Sequence, residues 1–480
     1  MIELDDFRTF EVFDQMEFLR EAESRVYQSP SVLLLSGGQL RPGDENRYSI
    51  FARDPFLVLS AKNDRVRIET ESGVHEFSAD CLAVLEKLCQ KIRPDFDPCG
   101  LPFSGGAVGY LSYDLKNRLE KLPQTARDDL GLPDLFLLWP GRIDVYDRKS
   151  EICSRIVLRP RGSVWPLDGF APEPFAGRLC RVDSIMAPVV RFRPQSGSAR
   201  FETGPLESNF THEGYLSALG RVREYIRRGD VYQVNLSQRF EFPFKGDPFG
   251  LWKSLFEINP APFYAFVNAG DHQVLSTSME RFLFQRGNYM ETRPIKGTRK
   301  RGKTLSEDEE LKADLVSSSK DDAELSMIVD LLRNDLGRIC RAGTVEVAEH
   351  KRLETYENVH HLVSIVTGEL RPETTPCDII RATFPGGSIT GCPKIRAMEI
   401  IDELEPDVRH VYTGAIGYIG WHNNLDLNVA IRTAILKEDT CYYSAGGGVI
   451  YDSVEEDEYQ ETFHKARTLL ELIEKSGSMP

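Results

Sequence analysis

Long hydrophobic runs are missing from the sequence. Nothing in its 480 residues approaches the ~20 consecutive apolar positions of a membrane-spanning helix. A basic surplus is missing too. Lys and Arg number 59 against 74 Asp and Glu, a formal charge of −15. That excludes a protein whose main partner is nucleic acid, since phosphates need a basic face. A local arginine or a metal can still hold a small anion. No Cys-x-x-Cys occurs among the nine scattered cysteines, and an odd, unpatterned set reads as reduced thiols in a cytoplasmic protein. The first residues, MIELDDFRTFEVFDQ, are acidic and lack the basic and apolar segments of a secretory signal. Several signature motifs are absent: Gly-x-Gly-x-x-Gly after a strand, the phosphate loop ending in Gly-Lys-Ser/Thr, His-Glu-x-x-His and Gly-x-Ser-x-Gly. The commonest nucleotide-binding, zinc-protease and serine-hydrolase readings go with them.

What is present points to an α+β chain with antiparallel sheets, because strand-like runs come in blocks and do not alternate regularly with helices. The stretch Ala187–Asn209 is rich in Pro, Gly and Ser and reads as a linker. It separates an amino-terminal region, 1–195, from a region 210–480 with clearer helices. In the second region Tyr215, Leu219, Val222 and Ile226 recur at helical spacing, and Gly229 should stop that helix. A second helix is expected from about Asp322 to Ile339. A third should open at Pro393 as its first residue and stop before Pro406. A fourth should start at Ser453, with Ser453 and Glu456 as a capping box and Gly477 at its end. Leu427–Ile435 alternates as one strand, with Arg432 on its polar face.

Several clusters could carry chemistry. Glu458 and Glu461 share a helix face, and Lys465 follows Glu461 by one turn. Asp321 and Glu324 form a second acidic pair. Each pair alone reads as a solvated helix start; together they could converge on one hard cation such as Mg²⁺. Ala445-Gly-Gly-Gly-Val449 reads either as a flexible turn or as a place where peptide N–H groups approach an anion. Arg432 could clamp a carboxylate. The glycine-rich turn Pro385–Pro393 opens a helix, a natural seat for a carboxylate. Lys296, in Arg293-Pro-Ile-Lys-Gly-Thr298, is a surface lysine or a nucleophile.

These pieces stand in the order found in the chorismate-utilising enzymes, which the second region resembles over about 210–470. The matching stretches include Gly229–Ser237, Ser278–Phe282, Arg293–Thr298, Asp322–Asp335, His361–Ser364, Pro385–Met398, Tyr412–Gly417, Ala430–Thr433, Ala445–Ser453 and Glu458–Lys465. Upstream, Leu33–Gly38, Arg47–Ser49 and Pro102–Tyr110 resemble the amino-terminal part of the amidotransferring members. The resemblance implies an α+β sandwich of two large stacked antiparallel sheets with helices outside and the site in a cleft. It also implies a tryptophan pocket around Ser36, Arg47, Tyr48, Ser49, Pro260 and Phe263.

The resemblance further implies roles for single residues. Glu324 and Glu461 ligate Mg²⁺, with Glu458 and Asp321 reaching it through water. Gly446, Gly447, Gly448 and Lys465 hold the ring carboxylate; Arg432 and Tyr412 hold the enolpyruvyl carboxylate. Glu280 is the general acid, helped by Thr298; His361 lines the ring, and Ser388 bonds substrate. Two positions sort the subfamilies. Water-adding members carry a lysine where this chain has Gln233, and anthranilate synthases carry alanine where it has Lys296. Met279 and Cys392 depart from the usual pattern but replace no catalytic group. The chain is thus most similar to aminodeoxychorismate synthase component I, which makes 4-amino-4-deoxychorismate for 4-aminobenzoate and folate from chorismate and ammonia. No Gly-x-Cys-x-Gly elbow is present, so ammonia is expected from a separate glutamine amidotransferase subunit, and no lyase region is expected after Pro480. The alternatives are an anthranilate synthase large component, and a non-catalytic tryptophan-binding or amidotransferase scaffold.

Overall fold

A computed structural model of the chain describes residues 2–12, 14–38, 40, 47–94, 100–160, 201–356 and 359–477. Residues 187–200 of the expected linker, and with them the boundary at 195, lie outside the described residues. The remainder is not free linker: Glu202–Thr203 and Glu207–Ser208 add two short strands to Gln233–Lys245.

Two long strands, Tyr48–Lys62 and Leu135–Asp147, pair with each other and serve both halves of the fold. From the first, one arm of sheet runs through Ser31–Leu35, Tyr264–Asn268, His272–Thr277, Thr433–Lys437 and Thr440–Val449 to Gln233–Lys245. From the second, another runs through Gly106–Leu111, Ala415–Gly420, Asn424–Val429, Arg281–Arg286 and Tyr289–Arg293 to Val359–Glu369. That last strand also carries Ile295–Lys300 and Glu346–Thr355. All these ladders are antiparallel. The arms face each other. Tyr110 Oη of one lies 2.9 Å from His272 Nε2 of the other, and Val108 and Leu111 share a core with Val234 and Val267. This is the expected stack of two antiparallel sheets.

Helices cover the outer faces. Pro248–Ile258 presents Phe249, Trp252, Leu255 and Phe256, and Glu455–Gly477 presents Ala466 and Leu469, to a second apolar cluster behind the first arm. Each large apolar side chain buried there is worth about 1.5–3 kcal/mol. The helix His212–Arg228 follows its sequence signals. Thr211 caps it by accepting from the Gly214 N–H, and Gly229 ends it at φ 80°. Ser319–Gly337 likewise buries Leu325, Ile328, Leu332 and Leu336.

Three expectations change. The helix Lys394–Leu404 takes Pro393 as its cap and not as its first residue. Ser453 and Glu456 form no capping box. Ser453 Oγ accepts from Ile450 N–H at 3.0 Å and donates to the buried Glu458 Oε1 at 2.7 Å, while Glu456 meets His212. A buried carboxylate has more to gain from that hydroxyl than a helix N–H has. Finally, 427–435 is two strands, Asn424–Val429 and Thr433–Lys437. The chain breaks because Ala430 N–H donates to Gly414 O, and Arg432, at φ 49°, turns its carbonyl to Thr277.

A buried ion pair ties these layers together. Arg409 Nη2 meets Glu405 Oε1 at 2.6 Å and also donates to Asn235 O, while its Nη1 donates to Ile389 O. Its guanidinium lies 4.8 Å from the ring centre of Tyr113 and 5.9 Å from that of Tyr412. Glu405 Oε1 accepts from both N–H and Oγ of Ser237. Removing one partner strands the other charge, so Glu405→Ala should destabilise the chain by about 3–5 kcal/mol. Urea titration checks this, and a loss below ~1 kcal/mol would contradict the role.

Candidate active site

Gly446, Gly447 and Gly448 form neither a turn nor a loop nest. They continue the strand Thr440–Val449 straight against Gln233–Ser237. Pairing with Thr433–Lys437 stops at Tyr443, so beyond it one edge of the glycine strand is open. The N–H groups of Asn235 and Ser237 donate elsewhere, to Thr390 O and Glu405 Oε1. Gly446 O accepts from Lys465 Nζ at 2.7 Å. In an antiparallel ladder this alternation turns the peptide groups of Gly446 and Gly448 to the open edge. Donors for an anion therefore exist, presented by a strand edge. Side chains are excluded there. A Cβ on Gly447 would stand 2.9 Å from Glu458 Oε2 and 3.5 Å from Glu461 Oε1, and one on Gly448 2.1 Å from Gln233 Nε2 and 3.3 Å from Lys296 Nζ. The same contacts show that Glu458, Glu461, Gln233 and Lys296 gather on this edge.

Glu280 is buried just before the strand Arg281–Arg286. Ser388 Oγ donates to its Oε1 at 2.7 Å, and Ser278 Oγ accepts from its N–H. Burial pushes the Glu280 carboxyl up to about 7, against the opposing pulls of Ser388 and the Lys296 ammonium. A carboxyl poised there can give up a proton near neutral pH. Thr298 does not bond Glu280: its Oγ1 lies 2.9 Å from His361 Nδ1. His361 is fully enclosed, edge-on to Tyr356 at 5.7 Å. Burial, with the Arg432 cation, holds its imidazole down at about 3, so it is neutral. Its Nε2 has no hydrogen-bond partner among the described residues.

Arg432 stands at the break between the two strands, and its positive charge is felt by His361, Tyr264 and Tyr443. Its guanidinium makes no ion pair among the described residues. Tyr412 is buried beside Arg409. A free guanidinium beside a neutral imidazole is a ready seat for a carboxylate.

The acidic pairs meet the same edge. Glu461 bonds Lys465 at 2.6 Å. Burial works to raise its carboxyl, but Lys465 outweighs that and holds it low. Burial does raise Glu324 and Glu458, despite Lys296 beside the first and Ser453 on the second. Asp321 packs on Gly297 and pairs with Arg299 at 3.3 Å. No three acidic, His or Cys side chains converge at ligating distance among the described residues. The donor chemistry nevertheless suits a hard divalent cation, since one buried and one half-buried carboxyl, Glu458 and Glu324, are short of positive charge.

The residues expected to form a tryptophan pocket lie elsewhere, most of them where Ser31–Leu35 meets Tyr48–Lys62. Gln15, which carried no sequence signal, joins them: its Nε2 donates to Ser36 O at 2.6 Å and Ser49 Oγ at 3.0 Å. Arg47 lies over Tyr48 and pairs with Asp147. Pro260 O is 3.5 Å from where a Cβ on Gly38 would be, and Phe263 lies under Arg281.

The family model for chorismate binding enzymes matches residues 43–471. The chain belongs to the chorismate binding enzymes. Among its relatives, anthranilate synthase component 1 of Cereibacter sphaeroides is 39% identical over 468 residues, 96% of this chain and 91% of that protein. Aminodeoxychorismate synthase component 1 of Bacillus subtilis is 36% identical over 470 residues, 97% and 96% of the two chains. The crystal structure of anthranilate synthase component I from Streptococcus pneumoniae superposes with a TM-score of 0.73 at 31% identity, covering 90% of this chain and 94% of that one. This chorismate binding enzyme is thus an α+β protein of that fold, and no helix among its described residues is long and apolar enough to cross a membrane.

Glu280 gives a test of the site's electrostatics. Its raised carboxyl binds a proton more tightly in the folded chain than in the unfolded one. Its contribution to stability therefore falls as pH rises from the ordinary carboxylate range towards about 7. Glu280→Gln should leave stability at pH 5 nearly unchanged and raise it at pH 8 by on the order of 1–3 kcal/mol. Denaturant titration at the two pH values checks this; equal shifts at both would contradict the buried-charge account.

Proposed function

We propose that the chain is an aminodeoxychorismate synthase component 1, converting chorismate and ammonia to 4-amino-4-deoxychorismate. The observation that supports this is Lys296, whose Nζ lies against Gly448 and Gln233 and draws down the carboxyls of Glu280, Glu324 and Glu461. Overall identity is similar to both kinds of synthase, so the discriminating position carries the reading.

Chorismate binds with its enolpyruvyl carboxylate on Arg432 and Tyr412 and its ring carboxylate at the open edge of Gly446–Gly448. Glu324 and Glu461 would hold Mg²⁺ there, with Glu458 and Asp321 reaching it through water. Bound so, the metal supplies positive charge for the ring carboxylate. Once its ammonium has given a proton to solvent, Lys296 attacks C2 as the free amine, the ring double bonds shift, and the 4-hydroxyl leaves as water with the proton of Glu280. Ammonia then attacks C4, the double bonds shift back, and the C2–nitrogen bond to Lys296 breaks. The proton surplus on the new amine returns to Glu280 or to the lysine. Two displacements put nitrogen on C4, where one direct attack at C2 would give a 2-amino product. Gln233 cannot act as a base for water, which favours amination over hydration. His361, neutral and fixed by Thr298, borders the ring. Both relatives are named as component 1, and ammonia is taken to come from a companion glutaminase.

Supplied with chorismate, Mg²⁺ and ammonium, the purified chain should form the C4 amine. Glutamine should serve only after a glutaminase subunit is added. Mass spectrometry with a lyase-coupled assay reads the product, and anthranilate as the main product would overturn the proposal. Without ammonia, intact-mass and peptide mapping should find chorismate minus water on Lys296, and Lys296→Ala should lose both adduct and C4 amination.

The metal residues can be separated in the same assay. Glu324→Ala and Glu461→Ala should abolish Mg²⁺-dependent turnover with an unchanged circular dichroism spectrum. Glu458→Gln should cost roughly 10–100-fold. Full activity in a chelator would refute the assignment.

A further inference from the structure

A second cleft opens far from the chemistry. It has a volume of about 440 Å³ and lies between the helix Cys81–Lys91, the hairpin tips at Gly287 and Trp421, and the segment Leu370–Cys377. That volume lies within the range of small-molecule sites, roughly 300–1,000 Å³. Gln285 lines it and Glu280 is catalytic. Five residues of extended strand, at ~3.3 Å each, put them about 17 Å apart.

The lining is two-sided. Its floor is apolar and aromatic: Leu370, Cys377, Ile419 and the half-buried indole of Trp421. That indole is held in place from behind, since a Cβ on Gly105 would come within 2.2 Å of it. The rim is charged, with three arginines against two carboxylates, Glu86, which Arg381 meets at 3.5 Å, and Glu373. Arg93, Arg341 and Arg371 border the cleft, in a chain whose formal charge is −15. Arg341 is taken by Glu369 at 2.9 Å. Arg93 and Arg371 have no carboxylate partner among the described residues, although Arg371 Nη2 donates to Arg338 O. Two lining residues also carry unsatisfied polar atoms. Gln285 is 3% exposed and its Oε1 has no partner, and neither has Trp421 Nε1. Buried polar atoms are normally satisfied, and each one left alone costs about 1–3 kcal/mol.

We propose that this cleft binds a small aromatic carboxylate, its ring on the Trp421 floor and its carboxylate on Arg371 and Arg93. An aliphatic or inorganic anion would use the rim alone. A neutral aromatic would leave both arginines without a counter-charge. The proposal does not depend on which chorismate reaction the chain performs.

Isothermal titration calorimetry of the full chain with benzoate, 4-aminobenzoate and inorganic phosphate tests it. At least one of the two aromatic carboxylates should bind saturably, at least tenfold more tightly than phosphate. Arg371→Ala and Arg93→Ala, both exposed and expected to fold, should each weaken binding by at least tenfold. Arg432→Ala should leave binding unchanged, because Arg432 belongs to the chorismate site. Three outcomes would overturn the proposal: no saturable binding by either aromatic acid, phosphate binding as tightly as they do, or binding lost in Arg432→Ala but kept in Arg371→Ala.

Discussion

The site depends on one steric constraint: three consecutive residues without side chains must run beside Gln233–Ser237. The space a Cβ would need at Gly447 and Gly448 is filled by Glu458, Gln233 and Lys296. Because the glycine strand is flat against its neighbour, its peptide groups present a regular row of dipoles at the open edge. Because the chain then turns at Ser453, the helix Glu455–Gly477 folds back over that same edge. Glu458, Glu461 and Lys465 arrive there as consecutive turns of one face. A larger residue at Gly447 would displace the acidic helix, and one at Gly448 would displace Gln233 and the lysine.

Around that edge, polar groups are placed so that each charge has a purpose or a partner. The Glu405–Arg409 pair is sealed between sheet and helices and fixes Tyr412, Ser237 and Asn235. Arg432 is left without a carboxylate among the described residues. Asp321 is engaged by Arg299, whereas the half-buried Glu324 and the buried Glu458 are raised. The imbalance leaves spare positive charge at Arg432 and spare negative charge at Glu324 and Glu458.

Much of this was legible in the sequence where its cause is local. The helix ending at Gly229 and the Glu461–Lys465 pair follow from spacing within a few turns. Family resemblance implied one pocket for Glu280, Lys296 and Arg432; Lys296 lies near Glu280, and Arg432 near His361. What escaped has its cause far along the chain. The strand read from 427 to 435 breaks because Thr277, about 150 residues earlier, holds the Arg432 carbonyl. Ser388, about 100 residues after Glu280 and expected to bond substrate, donates to the Glu280 carboxyl, while Thr298, expected to help Glu280, bonds His361. Three glycines suggest a turn by composition, and only the neighbours filling their missing Cβ space make them a strand. Gln15 bridges Ser36 and Ser49 with no motif to announce it.

The shared strand pair Tyr48–Lys62 and Leu135–Asp147 bears on how the chain folds as it is made. Gly106–Leu111, beside that pair, has its outer edge covered by Ala415–Gly420, about 300 residues later. At synthesis rates of roughly 5–20 residues per second, that edge waits on the order of 15–60 s for its partner. Non-local pairing of this kind also slows the folding step itself. Throughout that interval an apolar strand with unpaired N–H and C=O groups is open to any other extended chain. The architecture that lets one strand pair serve two sheets thus leaves the nascent polypeptide dependent on protection from aggregation until its carboxy-terminal third emerges.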